Sequence, residues 1–475
     1  MSECCSPSAE GDRYDIAVIG AGSAGFSAAI TAANQGARVA LIGHGVIGGT
    51  CVNVGCVPSK TMIRMAEALH GARAADRFAG IAGEARITDW GKVIAAKDDL
   101  VTTLRQKKYS DLLPEYDGVT YLEGAARITS SGVAVNGVDI SADRVIVATG
   151  SSPALPDIPG LADAPYLTST TALELPELPR SLMILGGGYI GCELAQMFAR
   201  AGVQVTLVTR SRLLPDAEPE IARALTGFLE DEGITVQTGL TYRDFKISGD
   251  GIALQIEQDG IPRTITAEQV ILTTGRTPNT TGLGLEEAGI EMTPGGDILV
   301  DDYLRTTRPG TYAAGDVTGR DQFVYMAAYG AKLAALNALK GDNLRYDNTA
   351  MPWVVFTDPQ IAGVGLGEAA ARSAGFDTKT SILPLDHLPR ALAARDTRGL
   401  IKLVADRATD RLLGAQIIAP EGADSIQTAV LALHYGMTTK ALGEMIFPYL
   451  TTVEGLKLAA QSFDKDVTKL SCCAG

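Results

Sequence analysis

The chain lacks an excess of positive charge and lacks any long apolar run, and each absence excludes a class of function. Its 41 lysines and arginines are outnumbered by 55 aspartates and glutamates, so the net charge of the 475 residues is −14 at pH 7. A broad nucleic-acid-binding surface is usually basic, so this balance argues against one. No run of 18 apolar residues occurs, and a transmembrane helix is therefore not predicted.

The N-terminus lacks the basic region and apolar core of a signal peptide. Residues 1–12 are instead rich in Ser, Glu and Gly, which predicts a flexible tail. We therefore expect a cytoplasmic protein. Thiols stay reduced in the cytoplasm, so the seven cysteines predict redox or soft-metal chemistry. Six of them form three pairs close in sequence: Cys4 and Cys5, Cys51 and Cys56, and Cys472 and Cys473.

Glycine, by contrast, is abundant, and two glycine-rich loops predict two dinucleotide-binding sites. The first follows an apolar strand at residues 15–19 and precedes a predicted helix from Ser27 to Gln35. The second follows a strand at residues 182–185. In a unit of strand, G-x-G-x-x-G and helix, backbone N–H groups and the helix N-terminus meet a pyrophosphate. The glycines are Gly20, Gly22 and Gly25 in the first loop and Gly186, Gly188 and Gly191 in the second.

Both units lack the acidic residue that usually follows the second strand and holds the adenosine ribose. In the first unit Gly43 and His44 stand there, so another group must hold the ribose, or the dinucleotide is held less tightly. His44 could substitute, or it could be an ordinary solvated histidine. In the second unit Arg210 and Arg212 stand there. Arginines suit a 2′-phosphate, so NADPH is predicted over NADH.

The segment between Gly48 and Lys60 carries two cysteines five residues apart, followed closely by a lysine. Five residues span about one and a half helical turns, slightly off a single face. A modest distortion, which Gly55 and Pro58 could supply, would bring the sulfurs together. A cysteine pair in a nucleotide-binding chain predicts redox or metal chemistry. The alternative is two unrelated buried thiols.

This segment, G-G-T-C-x4-C-x-P-S-K, resembles the redox motif of the flavin-dependent pyridine nucleotide–disulfide oxidoreductases. The resemblance implies a redox-active pair in which Cys56 faces the flavin as a charge-transfer thiolate and Cys51 is the exchanging thiol. It also implies that Lys60 lies beside the reactive edge of the flavin, paired with Glu193. A cation there favours negative charge on reduced flavin and on a nearby thiolate.

Three further segments resemble the same family: A-T-G at 148–150, T-G-R-x-P-N at 274–279 and A-G-D at 314–316. The resemblance implies that the aspartate of the last segment bonds the ribityl chain of the flavin. The residues expected to bind FAD are Gly20, Gly22, Gly25, Gly49, Thr50, Lys60, Thr149, Gly150 and Asp316. Those expected to bind NADPH are Gly186, Gly188, Gly191, Arg210, Arg212 and Gly275.

The predicted fold class is α/β, with two Rossmann-like dinucleotide-binding domains and a C-terminal α+β dimerisation domain. The expected homodimer shares its active site across subunits. The predicted order is a tail, an FAD-binding domain, an NADPH-binding domain, a segment returning to the FAD domain, and the dimerisation domain. Their expected ranges are 1–12, 13–155, 156–280, 281–348 and 349–475.

The C-terminal region lacks the His-Pro-x-x-x-Glu motif with which the disulfide reductases of this family protonate a departing thiolate. Tyr449 stands at the position of the histidine, and Glu454 follows five residues later. A tyrosine, with a reference pKa of about 10, is a poor proton shuttle at neutral pH. The chain ends in Cys472 and Cys473, which can present two thiolates to one soft cation.

Tyr449, Glu454 and the terminal cysteines together resemble the mercuric reductase branch of the family. The resemblance implies that Hg(II), arriving as a thiol complex, is captured by the terminal pair and passed to the inner pair. Reduction by the flavin then gives Hg(0), a detoxification reaction. The ion would be surrounded by Tyr109, which lies in a helical pattern from Trp90 to Leu113, and by Tyr449 of the partner subunit.

Two alternatives remain open at this point. The chain could be a disulfide reductase similar to the large type of thioredoxin reductase, or a mercury-sequestering protein on the same scaffold. Many mercuric reductases also carry an N-terminal metal-binding domain with a G-M-T-C-x-x-C motif, which this sequence lacks. Cys4 and Cys5 could act as a rudimentary collector of metal in its place, or could be idle.

Overall fold

The computed structural model describes residues 13–130, 132–249 and 251–466. The chain divides into two compact units, each assembled from segments far apart in sequence. The first unit contains the chain up to Ser59, Ile94–Ala154 and Arg276–Tyr346. The second contains Lys60–Val93, Leu155–Gly275 and the chain from Asp347.

The strands are numbered along the chain. They are β1 Arg13–Ile19, β2 Val39–Gly43, β3 Val119–Glu123, β4 Ala126–Ile128, β5 Gly132–Val135, β6 Val138–Val147, β7 Ser151–Pro153, β8 Tyr166–Thr168, β9 Ser181–Leu185, β10 Gln204–Val208, β11 Thr235–Gln237, β12 Thr241–Ser248, β13 Gly251–Gln258, β14 Ile261–Ala267, β15 Gln269–Leu272, β16 Arg276–Pro278, β17 Thr311–Ala313, β18 Pro352–Val355, β19 Gln360–Gly365, β20 Thr378–Pro384, β21 Leu400–Asp406 and β22 Leu412–Ala419.

The α-helices are numbered in the same way. They are α1 Ser23–Ala33, α2 Gly49–Asn53, α3 Cys56–Arg73, α4 Trp90–Arg105, α5 Tyr189–Arg200, α6 Pro219–Asp231, α7 Val324–Lys340, α8 Glu368–Ser373, α9 Pro389–Ala394, α10 Gly422–His434, α11 Thr439–Glu444 and α12 Glu454–Gln461. No helix within the described residues is long and apolar enough to cross a membrane.

The first unit is built on a seven-stranded sheet in the order β3-β2-β1-β6-β5-β4, with β17 also pairing with β6. Strands β3, β2, β1, β6 and β17 run parallel, whereas β5 and β4 are antiparallel additions. The central strands are covered on both faces, which explains why β2 and the second half of β1, residues 16–19, are continuously apolar and buried. Small side chains of α1 and α7, such as Ala28 and Ala331, fill one face of this core.

The second unit contains two larger sheets. A parallel sheet in the order β11-β10-β9-β15-β8 is accompanied by the antiparallel ribbon β12-β13-β14. A five-stranded antiparallel sheet in the order β18-β19-β22-β21-β20 lies in the C-terminal region, with α10 and α12 contributing to its core. Alternating strands and helices with parallel sheets, followed by an antiparallel α+β region, confirm the predicted fold class.

Two predicted helices differ from the observed ones. Helix α1 begins at Ser23, four residues before the predicted start at Ser27, because the extended backbone ends at the N-cap residue Gly22. Gly25 therefore lies inside the first turn. The pattern predicted from Trp90 to Leu113 is interrupted: α4 ends at Arg105 and a π-helical turn covers Gln106–Ser110.

Candidate functional site

The first glycine loop connects β1 to α1 and permits unusually close backbone approaches. A Cβ atom at Gly20, whose φ is +118°, would lie 2.2 Å from the carbonyl oxygen of Ala148. A Cβ atom at Gly25 would lie 1.7 Å from the carbonyl oxygen of Gly20. Only glycine fits at these two positions, and the packing leaves the N-terminus of α1 facing the strand ends. A helix N-terminus here fits the pyrophosphate of a dinucleotide.

The redox segment packs directly on this loop. The N–H of Gly48 donates to the carbonyl oxygen of Ala21 at 2.9 Å, and Gly22 and Gly48 form a parallel bridge. Gly48 and Gly49 have φ values of 98° and 67°, and a Cβ at Gly49 would lie 2.6 Å from the Cα of Gly22. The segment that carries the cysteines therefore rests on the loop that fits the dinucleotide.

The two cysteines occupy two successive helices. Cys51 lies half-buried within α2, and Cys56 is the exposed first residue of α3. The helices are separated at Val54 and Gly55, and a Cβ at Gly55 would lie 3.0 Å from the carbonyl oxygen of Thr50. The positive end of the 18-residue helix α3 favours the thiolate form of Cys56.

The side chain of Asn53 stabilises the redox segment by hydrogen bonds within it and to α4. Its side-chain amide donates to the carbonyl oxygens of Ile47 and Gly49, both at 2.9 Å, and its oxygen accepts from Arg105 at 3.1 Å. Sequence reasoning missed Asn53 and Arg105. The position of Asn53 between the cysteines was a signal for the first, but no local pattern indicates the second.

Tyr109 lies in the π-helical turn, a feature that is frequent at functional sites. Its hydroxyl shares a 3.2 Å hydrogen bond with that of Ser23, and its ring meets Phe26 edge-on at 4.8 Å. Burial raises the pKa of Tyr109, the Ser23 hydrogen bond opposes this, and negative charge on Cys51 and Cys56 raises it further. Tyr109 thus belongs to the same cluster as the cysteines, as a neutral phenol.

Asp316 belongs to a second polar cluster of the first unit. Its Oδ2 accepts from the Ser151 hydroxyl at 2.7 Å, and Arg276 lies 3.7 Å from the same oxygen. Burial lowers the pKa of Arg276, while the charges of Asp316 and Cys56 raise it. Arg276 is a cation near the redox segment that sequence reasoning did not single out, although it lies in the T-G-R-x-P-N segment.

The same part of the unit contains the turn at Thr149 and Gly150. The Thr149 hydroxyl donates to the carbonyl oxygen of Asn279 at 2.8 Å, and the Asn279 amide donates to the Thr149 carbonyl oxygen at 2.9 Å. Gly150 has a φ of +70°. This reciprocal pair fixes the turn from which the chain leaves β6.

Lys60 lies on α3 four residues after Cys56, on the same helical face. Its amino group is 2.7 Å from Oε2 of the buried Glu193 and 4.9 Å from the centre of the Phe356 ring. The other oxygen of Glu193 accepts from the Phe356 N–H at 2.9 Å. The predicted ion pair is therefore present, and Glu193 is held from both sides.

The second glycine loop repeats the geometry of the first. A Cβ at Gly186, with φ +118°, would lie 2.4 Å from the carbonyl oxygen of Thr273, and one at Gly191 would lie 1.9 Å from that of Gly186. Gly188 caps α5, and Gly275 has a φ of +125°. This loop also fits a dinucleotide pyrophosphate.

Arg210 and Arg212 are both exposed beyond the end of β10 but differ in their surroundings. The guanidinium of Arg212 donates to the carbonyl oxygens of Pro215 and Ala217, each at 2.6 Å. Arg210 acts electrostatically on the Tyr242 hydroxyl. Arg212 therefore shapes the loop, whereas Arg210 is better placed to offer its charge to a ligand.

Tyr449 is half-exposed at 51% in the second unit. The neighbouring Leu450 has a φ of +61°, and its N–H donates to the buried carboxylate of Glu454 at 3.2 Å. Glu454 therefore holds the turn that presents Tyr449. Cys4, Cys5, Cys472 and Cys473 lie outside the described residues. Within residues 13–130, 132–249 and 251–466, no group of three or more His, Cys, Asp or Glu could hold a metal ion.

Comparisons with known proteins match almost the whole chain. Residues 14–334 match the pyridine nucleotide-disulphide oxidoreductases, and residues 351–460 match their dimerisation domain. Mercuric reductase of Bacillus cereus is 48% identical over 97% of this chain and 73% of its own length. That of Streptomyces lividans is 47% identical over 97% of this chain and 98% of its own. The HOCl-induced flavoprotein disulfide reductase of Escherichia coli, 31% identical, superposes with a TM-score of 0.82 over 94% of this chain and 99% of its own.

Proposed function

Since the chain belongs to the pyridine nucleotide-disulphide oxidoreductase family, we propose that it is an NADPH-dependent mercury(II) reductase. Its cofactors are FAD and NADPH, and the two glycine loops fit them. The observation that carries the proposal is the redox segment resting on the first glycine loop with Tyr109 beside both cysteines. The near-full-length likeness to mercuric reductases supports Hg(II) as the substrate.

The overall reaction is NADPH + Hg²⁺ → NADP⁺ + H⁺ + Hg⁰. FAD, when bound, supplies the two-electron transfer between the nicotinamide and the metal ion. Cys51 and Cys56 bind the soft cation as thiolates, an assignment supported by the position of Cys56 at the start of α3. Tyr109, kept neutral by its raised pKa, closes the site without competing as a charged ligand.

Lys60 supplies positive charge one helical turn beyond Cys56. Its ion pair with the buried Glu193 restrains the amino group to one direction, and the Phe356 ring covers it. A restrained cation stabilises negative charge that develops beside it, because little reorganisation is needed. Glu193 is thus a positioning residue for Lys60.

We also propose that the functional form is a homodimer in which each site is completed by the partner. The match to a dimerisation domain supports this. So do the exposed large apolar side chains near the C-terminus, among which Ile446 is 98% exposed. Cys472 and Cys473 of the partner subunit, together with Tyr449 of the partner subunit, would deliver Hg(II) to the inner pair, Cys51 and Cys56. Arg210 supports the choice of NADPH, because a guanidinium suits a 2′-phosphate.

The test is NADPH oxidation by the full-length holoenzyme, with formation of volatile Hg(0) measured in parallel. Hg(II) with excess thiol should support turnover, while glutathione disulfide and oxidised thioredoxin should not. Cys51→Ala and Cys56→Ala should abolish the mercury-dependent reaction. The matched control is Cys192→Ala, because Cys192 is buried in α5, and burial together with Glu193 raises the pKa of its thiol far above the usual range. Rapid turnover of thioredoxin without Hg(0) would overturn the proposal in favour of a disulfide reductase.

Sharing of the site across subunits has its own test. Mixed dimers pair a chain carrying Cys51→Ala and Cys56→Ala with one carrying Cys472→Ala and Cys473→Ala. If tails act on the partner, such dimers keep one complete site and about half of the wild-type turnover. Absence of mercury turnover in mixed dimers, with full turnover in wild type, would exclude transfer across the interface.

A further inference from the structure

The first dinucleotide fold has no space for an acid at the end of β2. A Cβ at Gly43 would lie 2.5 Å from the Tyr121 hydroxyl and 2.8 Å from the Cβ of Ala21. Tyr121 therefore occupies the place from which a side chain at this position would reach the adenosine ribose. The next residue, His44, is exposed beyond the strand end.

The end of β3 lies level with the end of β2. Gly43 is paired in register with Glu123, and the N–H of Gly124 donates to the carbonyl oxygen of Gly43 at 2.7 Å. Because β1, β2 and β3 are parallel, their carboxyl ends share the edge that carries the first glycine loop. Glu123 thus brings a carboxylate to this edge, one strand away from the usual position.

The face on which Glu123 lies is fixed by Tyr121. Side chains two residues apart on a strand point to the same face. The Tyr121 hydroxyl and the Cβ of Ala21 in the glycine loop both lie within 2.8 Å of the point that a Cβ at Gly43 would occupy. Glu123 is therefore on the loop side of the sheet and one step nearer its edge. Burial raises the pKa of Tyr121, and the charge of Glu123 raises it further, which is consistent with both side chains lying on one face of the sheet.

The backbone at Glu123 is anchored while its side chain is exposed. Its carbonyl oxygen accepts from the amide of Asn136 at 3.3 Å, and the oxygen of that amide accepts from the Ala125 N–H at 3.0 Å. Asp15, by contrast, lies near the start of β1 at the opposite edge, where its carboxylate accepts from the Arg38 N–H. The fixed strand end therefore places the exposed side chain of Glu123 at the edge that carries the first glycine loop.

We propose that Glu123 binds the ribose hydroxyls of the FAD adenosine, in place of the acid that β2 lacks. A carboxylate accepts charge-assisted hydrogen bonds from the 2′- and 3′-hydroxyls, as the acid at the usual position does. Tyr121 is the residue that excludes a side chain at position 43. The inference rests on FAD as the cofactor of the proposed function and is independent of mercury as the substrate.

The experiment measures FAD affinity of the full-length protein after removal and re-addition of flavin, by the quenching of flavin fluorescence. Glu123→Gln should weaken FAD binding by about tenfold to a hundredfold. The control is Asp139→Asn, an exposed carboxylate early in β6 and paired with Ala134, which should leave the affinity unchanged. Thermal unfolding of each flavin-free variant verifies that the chain is folded.

An FAD analogue whose adenosine lacks both ribose hydroxyls separates a direct contact from an indirect effect. The wild-type protein should bind this analogue more weakly than FAD, whereas Glu123→Gln should bind the two with nearly equal affinity. Unchanged FAD affinity in Glu123→Gln, or the same loss for FAD and the analogue, would overturn the inference. Mercury turnover at saturating FAD is recorded separately, so failure of the proposed function would leave the flavin result intact.

Discussion

The buried amino group of Lys402 provides the sharpest test of what holds the second unit together. Lys402 projects from β21, and its side chain is 2% exposed. Its Nζ lies 2.6 Å from Glu218, 3.1 Å from Glu220 and 3.0 Å from Glu368. The three carboxylates lie at the N-termini of α6 and α8, where the helix dipoles also favour negative charge. One cation therefore joins two helices to the C-terminal sheet.

Lys402→Met keeps most of the apolar stem and removes the charge. Glu218 is itself only 6% exposed, so the change leaves a buried carboxylate without its counter-ion. Loss of one partner of a buried pair costs about 3–5 kcal/mol. At an unfolding entropy of about 2.1 cal/mol/K per residue, a unit as large as the second one should lose roughly 5–8 °C in unfolding temperature.

The assay is thermal unfolding of the holoenzyme, with Lys246→Met as the matched control. Lys246 is 63% exposed and 3.3 Å from Asp244, and an exposed pair of this kind contributes at most ~1 kcal/mol. Adding Glu218→Gln to Lys402→Met should recover part of the loss, because the buried charge is then removed. Equal unfolding temperatures for Lys402→Met and Lys246→Met would refute the reasoning.

The same cluster predicts a pH dependence. Burial alone would raise the pKa of Glu220, but a hydrogen bond from its own backbone and the contact with Lys402 hold it below its usual value. A lowered folded pKa means that this stabilisation is present above the unfolded pKa and is lost as the pH falls through the folded pKa. The stability difference between wild type and Lys402→Met should therefore shrink below about pH 4, as urea unfolding at several pH values would show.

Three further predictions concern the cofactor, the redox segment and the N-terminal thiols. Arg210→Ala should raise KM for NADPH much more than KM for NADH. Arg212→Ala should change the two KM values alike, because the guanidinium of Arg212 binds carbonyl oxygens of the loop. Equal effects of Arg210→Ala on both coenzymes would exclude a 2′-phosphate contact. Asn53→Ala should lower the stability of the holoenzyme by about 1–3 kcal/mol, because two carbonyl oxygens lose their donors, and unchanged urea unfolding would contradict this. If Cys4 and Cys5 collect metal, the double variant Cys4→Ser/Cys5→Ser should turn over more slowly at limiting Hg(II) without added glutathione. The reason is that tethered thiols raise the local thiol concentration. Identical rates for the variant and wild type would leave the pair without a catalytic role.

The parts of the site that could be predicted from the sequence are those in which a short segment dictates its own backbone. Gly25 is needed because of a contact made within one strand–loop–helix unit, where its Cβ would meet the carbonyl oxygen of Gly20. A distortion near Gly55 was also expected from the sequence, but the separation of the segment into α2 and α3 was not. The Lys60 and Glu193 pair joins distant segments, and it was predicted only because the family resemblance supplied it.

The parts that could not be predicted depend on side chains brought together by tertiary packing. Arg276 approaches Asp316 from another strand, and Arg105 reaches Asn53 from the end of a helix. Arg276 lies in a recognisable segment, but that segment does not indicate its contact with Asp316, and no local pattern marks Arg105. In the sequence, Lys402 is a single charged residue within an apolar strand. Its burial is explained only by the three carboxylates from other elements that surround its amino group.

The proposed ribose-binding acid is a further residue whose position depends on tertiary structure and not on its sequence neighbours. The sequence shows that Gly43 supplies no acid for a ribose, and the proposed replacement lies 80 residues later at Glu123. The two positions become equivalent only through the register of β2 with β3. A search confined to the neighbourhood of the glycine loop would therefore examine His44 and never reach β3. Because parallel strands present their carboxyl ends at one edge, an acid can move to a neighbouring strand and still face the same ligand, provided that the original position is small. Gly43 meets that condition, because the Tyr121 hydroxyl occupies the space in which a side chain at position 43 would lie.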